Sequence, residues 1–189
     1  MNTPTANQLN GRAIGVMFFA GFGALWLFLA IYARQSLNAV TVSCLLFGTL
    51  ALIGAALDLF EKAKRWPRVP DDPAIGRAFS WINAFQWIVV CIAVFTLAKL
   101  HLSVYVMNAI TAIVGLHMFP LARLFRNKLH YATGTALVAW SAASVLVAPA
   151  DQLQSTTALG TGVVLWLAAA VTLVLALHSA RYPADSLTC

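Results

Sequence analysis

The sequence predicts an all-α membrane protein whose six transmembrane helices form three parallel-repeat hairpins in one domain over residues 1–189. Two observations carry the fold class. Between Arg12 and Arg181 nearly uncharged apolar runs alternate with short polar breaks, each run being about twenty residues, the length an α-helix needs to cross a bilayer. Hydrophobic residues make up 61% of the chain and charged residues 10%, so almost every charge must sit at a span end, where it avoids the cost of hydrocarbon. A third observation, a spacing repeat, suggests the hairpins.

The first span, 12–33, resembles a secretory leader in having a polar start and a Phe/Leu-rich run. Its apolar stretch exceeds a signal h-region and no small-x-small cleavage site precedes Arg34, which predicts a retained helix. The second span, 38–60, runs into Glu61 and Lys62. Loop 66–76, WPRVPDDPAIG, is proline-rich and reads as a stiff connector, and Asp71 with Asp72 makes no metal site alone. Spans follow at 78–98, 102–124, 130–149 and 157–178, leaving no room for a soluble domain.

Ten of the 12 Lys and Arg residues fall on one side of this layout: Arg12, Lys62, Lys64, Arg65, Arg68, Arg77, Arg123, Arg126, Lys128 and Arg181. Arg34 and Lys99 alone fall on the other, so the positive-inside rule predicts both termini in the cytoplasm, with a bacterial inner membrane as the setting. The net charge of +6 then reflects topology rather than a nucleic-acid surface, and its natural partners are anionic lipid headgroups. A homo-oligomer is compatible with this layout. Cys44, Cys91 and Cys189 lack zinc-site spacing. Cys44 and Cys91 are expected at one depth, as buried apolar thiols or as a disulfide.

Gly11-Arg12-Ala13 recurs as Gly76-Arg77-Ala78, Arg34 as Lys99, and Leu59-Phe60 as Leu124-Phe125, all at an offset of 65. Two-span units of that kind keep one orientation and are related by an axis along the membrane normal. Two hairpins of equal length would give the same coincidence. The alignment brings Asp58, Arg123 and His178 to one membrane face, either as a gating charge cluster or as side chains that snorkel and cap their own helices.

Candidate chemistry concentrates in the second hairpin. Asn83 and Gln86 on span 3 and Asn108 and His117 on span 4 are the polar side chains of interest, and symmetric folding about Leu100 sets Asn83 level with His117. That depth is about 10 Å from the boundary at 1.5 Å per residue. An intramembrane histidine is a functional candidate by default, since its charge changes near neutral pH. Its structural alternative is a neutral imidazole bonded to Asn83 or Gln86, holding two helices together. Metal or haem ligation lacks support because no second histidine faces it at matched depth. Pro120 frees the carbonyl of Leu116 beside His117, which marks residues 115–120 as a possible hydrated pocket. Trp26, Trp81, Trp87, Trp140 and Trp166 read as packing, and Gly21, Gly23, Gly48, Gly54, Gly160 and Gly162 as points of close helix approach.

The segment Gly115–Phe125, GLHMFPLARLF, resembles a signature of uncharacterised small bacterial six-helix membrane proteins, and the resemblance implies no activity. Acetate-type and urea-type six-helix channels are similar in length, but the Asn-Pro-Ala-Pro-Leu-Gly motif of the acetate type is absent, so no site transfers. Small acid-stress membrane proteins are similar in size without a shared motif. Enzyme motifs are missing: no Ser/His/Asp set, CxxC pair, HExxH or Walker loop occurs, and no cofactor is implied. The sequence therefore points to a small-solute or proton-linked channel or transporter with a cavity near His117, or to a non-enzymatic structural or stress-related membrane protein.

Overall fold

Helix starts are set by side-chain caps. In the computed structural model, which describes residues 5–70 and 72–180, α1 (Ala6–Ala33) opens on a capping box in which Thr5 Oγ1 accepts from the Gln8 amide and Gln8 Oε1 accepts from the Thr5 amide. Asn38 and Thr41 form the same box at α2 (Ala39–Ala63). Asp72 caps α3 (Pro73–Lys99), whose first residue is a proline that needs no hydrogen bond there. A 3-10 turn at Ser103–Tyr105 leads into α4 (Val106–Leu124), Asn127 caps α5 (Lys128–Val147), and α6 spans Leu153–Ala180. Among the described residues there is no strand.

Three helices end alike. Gln35, His101 and Arg126 adopt φ of 52°, 57° and 49°, and the following amides bond back to Ile31, Leu97 and Ala122. This is the left-handed closure that glycine usually supplies, here made by non-glycine residues at some conformational cost. The matched ends Gln35 and His101 are 66 residues apart, one more than the spacing of the sequence landmarks.

Five helices, α1, α2, α3, α4 with its leading turn, and α6, are long and apolar enough to cross a membrane. The sixth, α5, has a spanning helix's length, 20 residues, but not its apolarity. The deficit comes from Lys128, His130 and Tyr131 at its start and from the hydroxyls of Thr133, Ser141 and Ser144, which are buried against neighbouring helices.

The bundle is organised around α6, which packs on α1, α2, α4 and α5. The triads α1–α2–α6 and α4–α5–α6 share that helix, while α3 leans on α4 and makes no contact with α2. A closed ring of three hairpins would seat α1 on α6, α5 on α4 and α3 on α2. The first two pairings are present and the third is not.

Glycines permit the close crossings. A Cβ at Gly134 would lie 2.6 Å from the Gly115 carbonyl oxygen, and one at Gly162 would lie 2.9 Å from that of Gly23. Trp166 fills the space over Gly23 and Gly48 and donates its indole N–H to the Ala20 carbonyl at 3.2 Å. Gly160 likewise lies beneath Trp140, whereas Gly21 and Gly54 face open space. Packing accounts for Trp26, Trp140 and Trp166; Trp81 and Trp87 instead stand on the outer surface. Two arginines tie α1 to α6: Arg12 Nη1 donates to Ser179 Oγ at one end, and Arg34 to Ser155 and Thr156 hydroxyls at the other.

Candidate functional site

The sequence candidates fall into two separate places. His117 and Gln86 line a groove of about 590 Å³ between α3 and α4, walled by Trp81, Ile82, Phe85, Val89, Ile113, Leu116 and Pro120. The lining follows helical spacing: residues 82, 85, 86 and 89 on α3 face 113, 116, 117 and 120 on α4. Trp81, Phe85 and Leu116 are also exposed on the outer surface, so the groove opens sideways, where lipid would lie. Helix α4 continues through Pro120 to Leu124, and Pro120 forms part of the groove wall.

His117 is 9% exposed and makes no hydrogen bond among the described residues. The expected partnership with Asn83 does not form, because the Asn83 amide donates to the Phe79 carbonyl of its own helix at 2.9 Å. That back-bond satisfies a polar side chain without a second helix. Gln86, one turn further along, is the residue that shares the groove with the imidazole. His130, in the first turn of α5, rests edge-on against Phe19 and Phe125.

Asn108 belongs to the second place, a polar seam among α4, α5 and α6. Its Nδ2 donates to the Ser141 carbonyl at 3.1 Å and to Ser144 Oγ at 2.8 Å, and Ser141 Oγ returns a bond to the Asn108 carbonyl at 2.9 Å. Thr157 Oγ1 lies 3.0 Å from Ser144 Oγ, and Thr111 and Thr161 hydroxyls meet at 2.9 Å. Asn108 Oδ1 is buried without a hydrogen-bond partner among the described residues. Sequence reasoning singled out Asn108 but overlooked the serines and threonines of α5 and α6; their signal was the helical spacing of Thr133, Leu137, Ser141 and Ser144, one face on which three of the four residues carry hydroxyls.

Asp58 and Arg123 are not joined to each other among the described residues. Asp58 pairs with Lys62 at 2.6 Å, Glu61 pairs with Lys64, and no ion pair joins Asp58 to Arg123 among the described residues. His178 occupies the last turn of α6. The expectation of buried or bridged thiols is also corrected: Cys44 and Cys91 are free and exposed, on helices that do not touch. Cys189 and Arg181 lie outside the described residues. Among the described residues no three His, Cys, Asp or Glu side chains come together to hold a metal.

No family model, curated protein or solved structure matches this chain. The likeness of GLHMFPLARLF to small bacterial membrane proteins therefore brings no family with it, and the functional reading rests on geometry.

Proposed function

We propose that this multi-pass membrane protein takes a molecule dissolved in the bilayer into the α3–α4 groove, with Gln86 and His117 as its polar contacts. The observation that supports this is the character of the groove: apolar walls, a lateral mouth, and an imidazole with no hydrogen-bond partner among the described residues. Ligand sites of a few hundred Å³ are typically apolar with a few convergent polar groups. A lipophile with a carbonyl head suits this one, since Gln86 and His117 can each donate to it while its tail follows the wall.

The test is photolabelling of the purified protein in liposomes with a diazirine-bearing lipophile. Crosslinks should concentrate on the α3 and α4 residues of the groove, and Val89→Trp, which fills it, should remove them. Labelling spread evenly over all outward faces, unchanged by Val89→Trp, would refute the reading.

A second reading, a small-solute or proton-linked channel or transporter, is favoured by the buried imidazole of His117 in the groove, because an ionisable group at membrane depth is a natural element of a proton or solute path. It predicts a flux in liposomes that varies through the imidazole titration range and loses that dependence in His117→Ala. Under either reading the basic end faces the cytoplasm of a bacterial inner membrane. Single cysteines in the loops near Arg34, Lys99 and Asp151 should then react with an impermeant reagent from outside, and one at residue 70 should not.

A further inference from the structure

The groove ends, at one extremity, in positive charge that forms no ion pair among the described residues. Arg77 lies four residues before Trp81 on α3, and Arg123 three residues beyond Pro120 on α4, so the two Cα atoms lie about 4.5–6 Å along the helix axes from the groove's end wall. Phe79 and Phe125, whose rings are 5.7 Å apart, hold those two helix ends together. Arg126 and Lys128 follow directly, and all four cations are exposed. None of them is in an ion pair among the described residues, because Asp58 and Glu61 are taken by Lys62 and Lys64. Asp72, the nearest acid on α3, is engaged as the helix cap.

The apolar depth behind that charge is also informative. From Trp81 to Val89 on α3 the groove runs eight residues, about 12 Å, against a hydrocarbon half-thickness of roughly 15 Å. Its length is therefore that of one leaflet, measured from the basic end.

We infer that the groove's occupant is an anionic phospholipid of the basic-end leaflet, its phosphate held by Arg77 and Arg123 and one acyl chain lying along the α3–α4 wall. This rests on the groove being a lipophile site and names the ligand class. The ester carbonyls, the first polar groups below a phosphate, then lie at the end of the groove marked by Trp81 and Pro120, where His117, three residues or about 4.5 Å further in than Pro120, is the nearer of the groove's two polar side chains. Planar guanidinium groups suit phosphate oxygens, and basic side chains at such a surface favour anionic lipid.

The experiment is native mass spectrometry of delipidated full-length protein in detergent, titrated with phosphatidylglycerol or phosphatidylcholine of identical chains. We expect at least tenfold tighter binding of phosphatidylglycerol, a fall of about fivefold in that preference for each of Arg77→Gln and Arg123→Gln, and a marked fall under raised salt. Val89→Trp should lower occupancy by both lipids. Equal binding of the two lipids, abolished by Val89→Trp, would leave the groove reading intact and overturn the anionic assignment. A preference untouched by both arginine variants would also overturn it, by placing the headgroup elsewhere. Occupancy unaltered in Val89→Trp would overturn the groove reading itself. The salt titration of the unmodified chain keeps the charge test independent of whether any variant folds.

Discussion

Helices α6 and α3 are of similar length, 28 and 27 residues, and both are apolar enough to span a bilayer, yet they occupy opposite roles. Helix α6 buries residues on much of its circumference, including Ser155, Thr157, Thr161, Gly162 and Thr172. On α3, Val90 is the one buried residue, and Trp81, Phe85, Trp87, Ile88, Ile92 and Phe95 point outwards. The contrast reverses the rule for water-soluble proteins. In a bilayer, apolar side chains gain little from leaving lipid, so small and hydroxyl-bearing residues make up most of the buried face of α6, beside Leu165 and Leu173, while the bulky side chains of α3 stay on its outer face. Loose packing at that edge leaves the α3–α4 groove.

If the centre carries the stability and the edge the binding, substitutions in the two regions should separate those properties. The largest expected effect is at a glycine crossing. Gly134→Leu forces a side chain against the Gly115 carbonyl and should lower stability in a steric-trap or denaturant assay by about 1–3 kcal/mol or more, the usual cost of overpacking. A wild-type unfolding curve for this variant would show that α4 and α5 do not cross there.

Next comes Asn108→Ala, which strips partners from Ser141 and Ser144 and should cost on the order of 0.6–1.7 kcal/mol, the range for membrane interhelical hydrogen bonds. Lipid occupancy of the groove should be unchanged, and a loss of binding without a loss of stability would reverse the division of roles.

His117→Leu should do the opposite. With no hydrogen bond to lose among the described residues, stability should stay within about 0.5 kcal/mol, while crosslinking of a carbonyl-bearing lipophile falls severalfold. A drop in stability matching that of Asn108→Ala would make His117 a structural residue. The smallest effect belongs to Asp58→Asn. Its partner Lys62 is on the same exposed helical surface, and such pairs contribute little, so thermal unfolding should not move measurably.

Sequence periodicity located all six helices because apolar length and polar breaks are one-dimensional signals. The described helices extend the expected spans at several ends, for instance Ala6–Ala33 against 12–33, since caps such as Thr5 and Asp72 add polar turns that hydropathy does not register. Which helices meet was not legible. Equal hairpin lengths suggested three hairpins around one axis, but the choice of α6 as shared centre depends on Gly23, Gly162 and the hydroxyl pairs matching across helices far apart in sequence. At the candidate site, depth was readable and azimuth was not. Asn83 and Gln86 differ by three residues, and only the packing of α3 on α4 decides which of them faces His117.

The central position of α6 also sets the order of events while the chain is being made. Helix α1 must wait for its main packing surface at least until α6 begins to leave the ribosome at Leu153, 120 residues after its own end at Ala33. At about 5–20 residues per second that is an interval of some 6–24 seconds. During it Arg34 lacks Ser155 and Thr156, and Gly23 opens onto lipid instead of Gly162. Only the sequential hairpins α1–α2 and α3–α4, and then the pairing of α5 with α4, can form in that window. A chain halted before Leu153 would thus be an inserted but unlocked intermediate, presenting the small-residue face of α1 to any quality-control protease that surveys the bilayer.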